Sequence, residues 1–323
     1  MSVHAFIFPG QGCQSVGMGQ ALAAAFPAAR ETFQEVDDAL GEHLFRVMAE
    51  GPAETLTRTE NAQPALLAHA IAVLRVIERE GHVRLAGTAR LVAGHSLGEY
   101  AALAAAGAFT LGDAARLLRL RGRAMQDAVP EGEGAMAALL GCELAAARAI
   151  CEEAALLREP DGRETRQVIQ PANDNGGGQV VISGALEAVE RAIEISKAHG
   201  VRRATRLPVS APFHCALMAP SADAMATALE HTRPVAPAVP LISNVTAAKA
   251  TDPDEIARLL VEQVTATVRW RESVLAMAAM GVDSFCELGT GRVLSGLVRR
   301  ILPDAQAIAA GTPAEVEAML RVF

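Results

Sequence analysis

A serine lies between two glycines at residues 94–98, which read Gly-His-Ser-Leu-Gly, where an apolar strand pattern (91–93) meets an Ala-rich helix pattern (97–106). Glycine flanks allow the backbone to turn tightly without a Cβ clash. A strand–turn–helix of this kind lifts the serine hydroxyl out of a sheet and places it at a helix N-terminus, where backbone N–H groups can face a developing oxyanion. The pattern predicts that Ser96 is a nucleophile. The alternative is a Gly-Ser turn that only connects two elements.

The rest of the chain alternates strand and helix patterns, which predicts an α/β fold with a mostly parallel sheet covered by helices. Residues 131–208 instead show the order β-α-β-β-α-β, which is typical of a ferredoxin-like unit. Within this unit, the polar and Gly-rich residues 173–178 predict a turn. We therefore expect a core made of residues 1–130 and 209–323, with residues 131–208 inserted as a small subdomain.

Composition limits the classes of function. The chain has 323 residues, 51% hydrophobic and 20% charged, so it can bury a large core and does not resemble a disordered protein. A net charge of −8 provides no general cationic field for nucleic acid or an anionic membrane. Five cysteines without a Cys-x-x-Cys pair argue against a disulfide framework and a zinc site. No apolar run reaches the ~18 residues of a membrane helix. We expect a cytoplasmic protein without a metal, a nucleic-acid partner or a membrane partner.

A serine nucleophile needs a general base, and the chain has eight histidines. In enzymes with this strand–turn–helix the base follows the serine late in the chain. His214 lies in a loop after the last strand pattern of the 131–208 unit and is the best candidate. The alternative is a loop histidine without a catalytic role. No acidic residue between Ser96 and His214 stands at a convincing strand end, so a neutral side chain, a backbone carbonyl or an acid hidden from the pattern must orient the imidazole.

Arg121 lies on the apolar face of a predicted helix over residues 111–129. At 100° per residue it shares that face with Leu117, Leu118 and Met125. An unpaired buried guanidinium is very costly, and a carboxylate matches its fork best. The interpretation that favours function is a substrate carboxylate; the alternative is an internal Asp or Glu. Three other arginines of the helix are predicted to lie on the opposite, solvated face: Arg116, Arg119 and Arg123.

Four motifs together resemble one enzyme family. They are Phe-Pro-Gly-Gln-Gly at 8–12, Gly-His-Ser-Leu-Gly-Glu-Tyr at 94–100, Arg-Gly-Arg-Ala-Met-Gln at 121–126 and Pro-Phe-His-Cys-Ala-Leu-Met at 212–218. In this order and spacing they are similar to the malonyl-CoA:acyl carrier protein transacylases of fatty acid synthesis, a family that includes acyltransferase domains of polyketide synthases. The resemblance extends from about residue 4 to residue 311.

This resemblance implies a fold and a reaction. The fold would be an α/β-hydrolase-like core with an inserted ferredoxin-like subdomain. The reaction would be ping-pong transfer of malonyl from malonyl-CoA to acyl carrier protein, without a cofactor. Ser96 would attack the thioester, and His214 would act as base and then as acid. The backbone N–H groups of Gln11 and Leu97 would hold the oxyanion.

The resemblance also implies how the substrate and the histidine are held. Arg121 would bind the malonyl carboxylate, and the backbone carbonyl of Gln263 would orient His214 in place of the missing acid. Asn173 and Asn244 match polar positions near the family's active site, where we expect them to bind substrate. A phenylalanine before the histidine, as at Phe213, resembles the malonyl-selective members.

An acidic carrier protein must dock on an enzyme that is itself net negative, which requires a local basic patch. We expect Arg202 and Arg203, together with Arg206, to provide it. A solvated strand edge is the alternative.

Three other functions stay open at this point. The first is a serine hydrolase of esters or thioesters, and the second is malonyl transfer to the carrier subunit of a malonate decarboxylase. The third is a non-catalytic interaction protein on the same fold, against which an intact Ser96 and His214 count.

Overall fold

The computed structural model describes residues 2–158, 163–209 and 211–323. Residues 1, 159–162 and 210, which fall within the predicted domain ranges, lie outside the described residues. Among the described helices, none combines the length and the apolar character that crossing a membrane requires.

The strands are numbered in chain order: β1 His4–Phe8, β2 Ala89–Gly94, β3 Gly134–Leu140, β4 Leu156–Arg158, β5 Glu164–Arg166, β6 Ile169–Gly176, β7 Gln179–Ala185, β8 Arg203–Arg206, β9 Leu241–Ile242, β10 Lys249–Ala250, β11 Ser284–Leu288 and β12 Gln306–Ala310.

The helices are numbered in the same way: α1 Gln20–Ala25, α2 Pro27–Leu40, α3 Leu44–Glu50, α4 Ala53–Thr57, α5 Thr59–Gly81, α6 Leu85–Thr88, α7 Gly98–Ala105, α8 Leu111–Asp127, α9 Leu144–Ala154, α10 Leu186–Ser196, α11 Ala219–His231, α12 Pro253–Gln263, α13 Trp270–Ala279, α14 Val293–Ile301 and α15 Pro313–Leu320.

A six-stranded sheet forms the centre of the molecule, with the order β10-β9-β2-β1-β11-β12. All neighbours pair in parallel except β9 and β10. Strands β1 and β11 are buried along their whole length, as expected for apolar strands with helices on both faces. The predicted mostly parallel sheet is confirmed, and its carboxyl edge carries the loop after β1 and the turn after β2.

A second sheet of four antiparallel strands has the order β6-β7-β3-β8. Helices α9 and α10 pack on it and close a separate apolar cluster that includes Leu139, Ile150, Ile182 and Val189. The elements follow one another as β3-α9-β6-β7-α10-β8, with the small hairpin β4–β5 between α9 and β6.

Strand β6 also forms backbone hydrogen bonds outside its sheet, with Val268 in the segment between α12 and α13. The Asp174 N–H donates to the Val268 carbonyl at 2.9 Å, and the Val268 N–H donates to the Ala172 carbonyl at 2.8 Å. The predicted turn at 173–178 is therefore too long: β6 continues to Gly176, and only Gly177 and Gly178 turn. Backbone pairing on both sides keeps these polar residues extended, although their side chains favour turns.

Candidate active site

Ser96 lies at the apex of a sharp bend between β2 and α7, with a positive φ of 53°. Both flanking glycines are required. A Cβ at Gly94 would lie 1.9 Å from the backbone of Gly98, and one at Gly98 would lie 2.2 Å from the Phe8 carbonyl oxygen. Only glycine fits at these two positions, because β1, β2 and α7 approach one another too closely for a Cβ atom.

The Ser96 hydroxyl forms a 2.7 Å hydrogen bond with Nε2 of His214. On the other side of the ring, Nδ1 of His214 lies 2.8 Å from the backbone carbonyl of Gln263. A carbonyl only accepts, so Nδ1 must carry the hydrogen and donate it, which leaves Nε2 free to accept from the serine. The arrangement matches that of a nucleophile, a base and an orienting group.

His214 is almost completely buried. Burial, and then the positive charge of Arg121, lower the pKa of His214 to about 3. The imidazole is therefore neutral at physiological pH. A neutral imidazole next to a hydroxyl can accept its proton, which a histidine that is already protonated cannot do.

Gln11 and Leu97 are the two residues whose backbone N–H groups are expected to hold the oxyanion. Gln11 and Leu97 both line the same cavity as Ser96. In the described part of the chain, neither N–H donates a hydrogen bond. The Ser96 N–H, in contrast, donates to the side chain of Asn244 at 2.8 Å. Free donors beside a nucleophile can stabilise a developing oxyanion.

Arg121 is 1% exposed, and its guanidinium lies beside the nucleophile. Its Nη2 donates to the Ser96 hydroxyl at 3.1 Å and to the side-chain oxygen of Gln263 at 2.8 Å. Its Nη1 donates to the side-chain oxygen of Gln63 at 2.9 Å. The ring of Tyr100 lies below it, with its centroid 5.7 Å from Cζ. No carboxylate of the described residues forms an ion pair with it, so the internal acidic partner is not observed. Burial lowers its pKa.

The burial of Arg119 differs from the helical-wheel prediction. This arginine was expected on the solvated face of α8, but it is 6% exposed. Its guanidinium donates to the Glu60 carbonyl at 2.8 Å, to Asn61, and to the carboxylate of Glu42 at 2.6 Å. The start of α5 covers this side of α8, because Gly122 allows the two backbones to come into contact.

Asn244 is not where substrate would be. It is fully buried and does not line the cavity. Its side-chain oxygen accepts the Ser96 N–H, and its Nδ2 donates to the Gly94 carbonyl at 2.6 Å. Both polar ends of the side chain are therefore bound to the backbone of the bend. We expected Asn244 to bind substrate, but its contacts are with the backbone of the bend that carries Ser96.

The cavity has a volume of about 640 Å³ and includes Ser96, His214 and Arg121 in its wall. Asn173 also lines it, at the expected place. The surface of the wall is mostly apolar, with contributions from Met125, Met136, Leu207, Val209 and Phe213, although polar residues such as Gln11, Glu54, Arg58 and Gln63 line it too. A mostly apolar pocket with a few convergent polar groups is typical of a small-molecule site.

Arg202 and Arg203 lie apart from this cavity. Both are exposed at the start of β8, the edge strand of the small sheet. After β8 the chain continues into Leu207, Pro208 and Val209, which line the cavity. The described residues contain no cluster of His, Cys, Asp and Glu with the geometry of a metal site.

Three site residues escaped the sequence patterns. Gln63 contacts Arg121, and His95 forms a 2.9 Å hydrogen bond through Nε2 with the Asn175 side chain. Glu99 is completely buried below Ser96. The only signal for Gln63 in the sequence was a polar residue in an otherwise apolar stretch of α5. Glu99 was missed because an acid in the first turn of a helix usually indicates a solvated N-terminus.

Comparison with known proteins places this geometry in a family. The acyl transferase domain family matches residues 5–312. The malonyl CoA-acyl carrier protein transacylase of Escherichia coli (strain K12) is 46% identical over 322 residues, and the match covers 100% of both chains. The crystal structure of an acyl-carrier-protein-S-malonyltransferase from Bartonella henselae is 53% identical with a TM-score of 0.93, covering 99% of both chains. A malonyl-transacylase solved with a type II PKS acyl-carrier protein is 42% identical with a TM-score of 0.93, covering 100% of both chains. The resemblance carried by the four motifs is confirmed.

Proposed function

The chain belongs to the acyl transferase family, and from that membership we propose that it transfers malonyl from malonyl-CoA to the phosphopantetheine thiol of acyl carrier protein. One observation carries the proposal. A hydroxyl bonded to a neutral, oriented imidazole lies 3.1 Å from a buried guanidinium that has no carboxylate partner in the described structure. The relatives bear names that specify the same reaction.

In the first half-reaction, Ser96 Oγ attacks the thioester carbonyl while Nε2 of His214 takes the hydroxyl proton. The carbonyl oxygen becomes negative and accepts hydrogen bonds from the N–H groups of Gln11 and Leu97. The tetrahedral adduct collapses, the C–S bond breaks, and the protonated His214 gives its proton to the leaving CoA thiolate. Ser96 now carries a malonyl ester.

In the second half-reaction, the carrier thiol gives its proton to His214 and attacks the ester carbonyl. The C–O bond to Ser96 breaks, and the serine oxygen takes the proton back. In both half-reactions, the backbone carbonyl of Gln263 keeps the His214 imidazole in the tautomer that can accept a proton at Nε2. No metal or cofactor is needed in this scheme, since a thioester is already activated.

Arg121 selects the acyl group. In a malonyl ester the free carboxylate is separated from the acyl carbon by one methylene group, so it lies close to the serine oxygen. The guanidinium already contacts that oxygen, and a carboxylate at that distance can take two of its N–H groups. An acetyl group offers nothing to pair with, and the site discriminates because its buried charge stays uncompensated.

The architecture proposed with this function is an α/β-hydrolase-like core of residues 1–130 and 209–323 and a ferredoxin-like subdomain of residues 131–208. The parallel sheet with a nucleophile after β2 supports the first part, and the strand order β6-β7-β3-β8 supports the second. Asn173 of this subdomain reaches the cavity, and we propose that it binds substrate. Five free cysteines fit a reducing cytoplasm, which we propose as the location.

We propose that the carrier docks beside β8. Arg202 and Arg203 are exposed there, and the chain that follows lines the cavity. Replacing both by Glu is expected to raise the KM for an acidic carrier about tenfold, through lost charge complementarity, while the rate of acylation by malonyl-CoA stays unchanged. Arg46→Glu and Arg79→Glu, changes at exposed arginines of α3 and α5, provide a charge-matched control. An unchanged carrier KM would place docking elsewhere.

Intact-mass spectrometry tests the reaction itself. After mixing with malonyl-CoA, the protein is expected to gain one malonyl group, and adding carrier is expected to move that group to the carrier thiol. Ser96→Ala should gain nothing. Release of free malonate as the main product, with carrier present, would favour a hydrolase instead. Discharge onto the carrier subunit of a malonate decarboxylase, and not onto the fatty acid carrier, would favour the other transferase.

A further inference from the structure

Glu99 is a buried carboxylate with no step in the proposed reaction. It lies in the first turn of α7, directly after the nucleophile bend, and its side chain is 0% exposed. A buried carboxylate is costly unless it is compensated by several hydrogen bonds or a positive charge. The groups that surround Glu99 therefore indicate its role.

Both carboxylate oxygens of Glu99 accept N–H donors. Oε1 accepts the backbone N–H of Asn244 at 3.2 Å, and Oε2 accepts a short hydrogen bond from Nε2 of Gln263. The same Nε2 lies 3.0 Å from the Ser96 carbonyl and 3.4 Å from the Asn244 side-chain oxygen. The amide nitrogen of Gln263 is thus surrounded by oxygens.

These contacts determine which end of the Gln263 amide faces Arg121. With the nitrogen held by Glu99, the oxygen points to Nη2 of Arg121 at 2.8 Å. The reverse orientation would place an NH₂ group against the guanidinium and leave donors unpaired on both sides. Glu99 therefore fixes the amide that accepts from Arg121, without occupying the guanidinium fork itself.

We propose that Glu99 is a positioning residue that determines acyl specificity. It orients the Gln263 amide, and this amide holds the Arg121 guanidinium at the place where the free carboxylate of a short diacid on Ser96 would lie. The guanidinium stays available to that carboxylate. This inference rests on the proposed malonyl transfer. A direct Glu99–Arg121 ion pair would have closed the fork, whereas the intervening amide keeps the positive end available.

Glu99→Gln tests the proposal with little change in shape. An amide has one acceptor oxygen, so either the Asn244 N–H loses its acceptor or Nε2 of Gln263 loses one of its acceptors, and the Gln263 amide is held less firmly against the guanidinium. We expect kcat/KM for malonyl-CoA to fall about tenfold, mainly through KM, as for a lost charge-assisted hydrogen bond. Acylation by acetyl-CoA, and labelling of Ser96 by an uncharged fluorophosphonate, should stay unchanged.

Glu287→Gln is the matched control. Glu287 is also 0% exposed, and its two oxygens accept the N–H groups of Leu294 and Ser295 at 3.0 Å and 2.7 Å, at the start of α14. This variant should lose stability but keep the wild-type ratio of malonyl to acetyl acylation.

Two results would overturn the inference. One is an equal loss of malonyl, acetyl and fluorophosphonate reactivity in Glu99→Gln, which would show that Glu99 only supports the bend. The other is wild-type reactivity of Glu99→Gln towards malonyl-CoA, acetyl-CoA and the fluorophosphonate alike. If the wild-type protein itself takes no malonyl group from malonyl-CoA, the proposed function fails. Because the wild type is measured beside Glu99→Gln, this outcome is distinguished from the two results above.

Discussion

Two buried arginines lie two residues apart on α8, on different sides of the helix, and their surroundings differ. Arg119 reaches the carboxylate of Glu42, and its guanidinium also binds oxygens at the start of α5. Arg121 reaches only neutral oxygens: two side-chain amides and the Ser96 hydroxyl. Arg119 is bound within the fold, and Arg121 faces a cavity.

The difference shows how a buried cation becomes a binding site. When a carboxylate of the protein completes the pair, the group adds to structure and cannot recognise anything else. When only amide oxygens solvate it, the guanidinium stays charged and favours a carboxylate that arrives with substrate. Two arginines that share a helix and a similar burial can therefore serve folding in one case and specificity in the other.

Arg121→Met is expected to produce the largest effect. Removing one partner of a buried charge pair costs about 3–5 kcal/mol, so the rate of malonyl acylation should fall about a thousandfold. Arg121→Lys should recover only part of it, because an ammonium lacks the planar fork. Rapid-quench measurement of the malonyl-enzyme checks both. A loss below about tenfold would mean that Arg121 resembles Arg119 in role.

Arg119→Met should affect folding instead of chemistry. Its three partners lose their donor, but Glu42 is 42% exposed and can return to water. We expect the free energy of unfolding to fall by about 2 kcal/mol, measured by urea titration, while the preference for malonyl-CoA stays as in the wild type. A change in acyl preference at unchanged stability would reverse the assignment of the two arginines.

Gln63→Leu removes one of the neutral partners of Arg121. The Nη1 group then points at an apolar side chain, and the guanidinium is held by Gln263 and Ser96 alone. We expect KM for malonyl-CoA to rise about fivefold to tenfold with little change in kcat. Steady-state kinetics checks this, with Gln34→Leu, a change at an exposed glutamine of α2, as a control. A fall in kcat at constant KM would contradict a binding role.

The pH dependence offers the smallest effect. Burial and then Arg121 hold the pKa of His214 at about 3, so wild-type acylation by acetyl-CoA should be flat from about pH 7 to about pH 5. Arg121→Met removes the second cause only, so its acid limb should move upward yet stay below the ordinary histidine value. Arg119→Met should not move it. Because folding disfavours protonated His214, the contribution of His214 to the free energy of unfolding should also fall as the pH drops below about 6.5. An acid limb at the ordinary histidine value in the wild type would contradict the buried, neutral base.

Local patterns predicted much of this molecule. The parallel sheet followed from apolar strands alternating with helices, and the helical phase of Arg121 indicated its burial. The bend at Ser96 was visible because two glycines and a strand-to-helix change are all local features. Its pairing with His214, 118 positions later, followed from the rule that the base comes late in the chain.

Other features depend on contacts that no local pattern contains. Arg119 is buried because the start of α5 lies across a side of α8 that the helical wheel leaves to solvent. Asn244 supports the bend because β9 ends directly beneath it, which brings the side chain to the backbone of Gly94. Gln63 and Glu99 acquire their roles through residues far away in sequence, and only the fold brings these together.

A competition experiment shows whether Arg121 recognises the free carboxylate of the acyl group. The protein is exposed to equimolar malonyl-CoA and acetyl-CoA, and the two adducts on Ser96 are quantified by intact mass. We expect an almost pure malonyl adduct for the wild type and for Arg119→Met, and comparable amounts of both adducts for Arg121→Met. An unchanged preference for malonyl in Arg121→Met would contradict this role of Arg121.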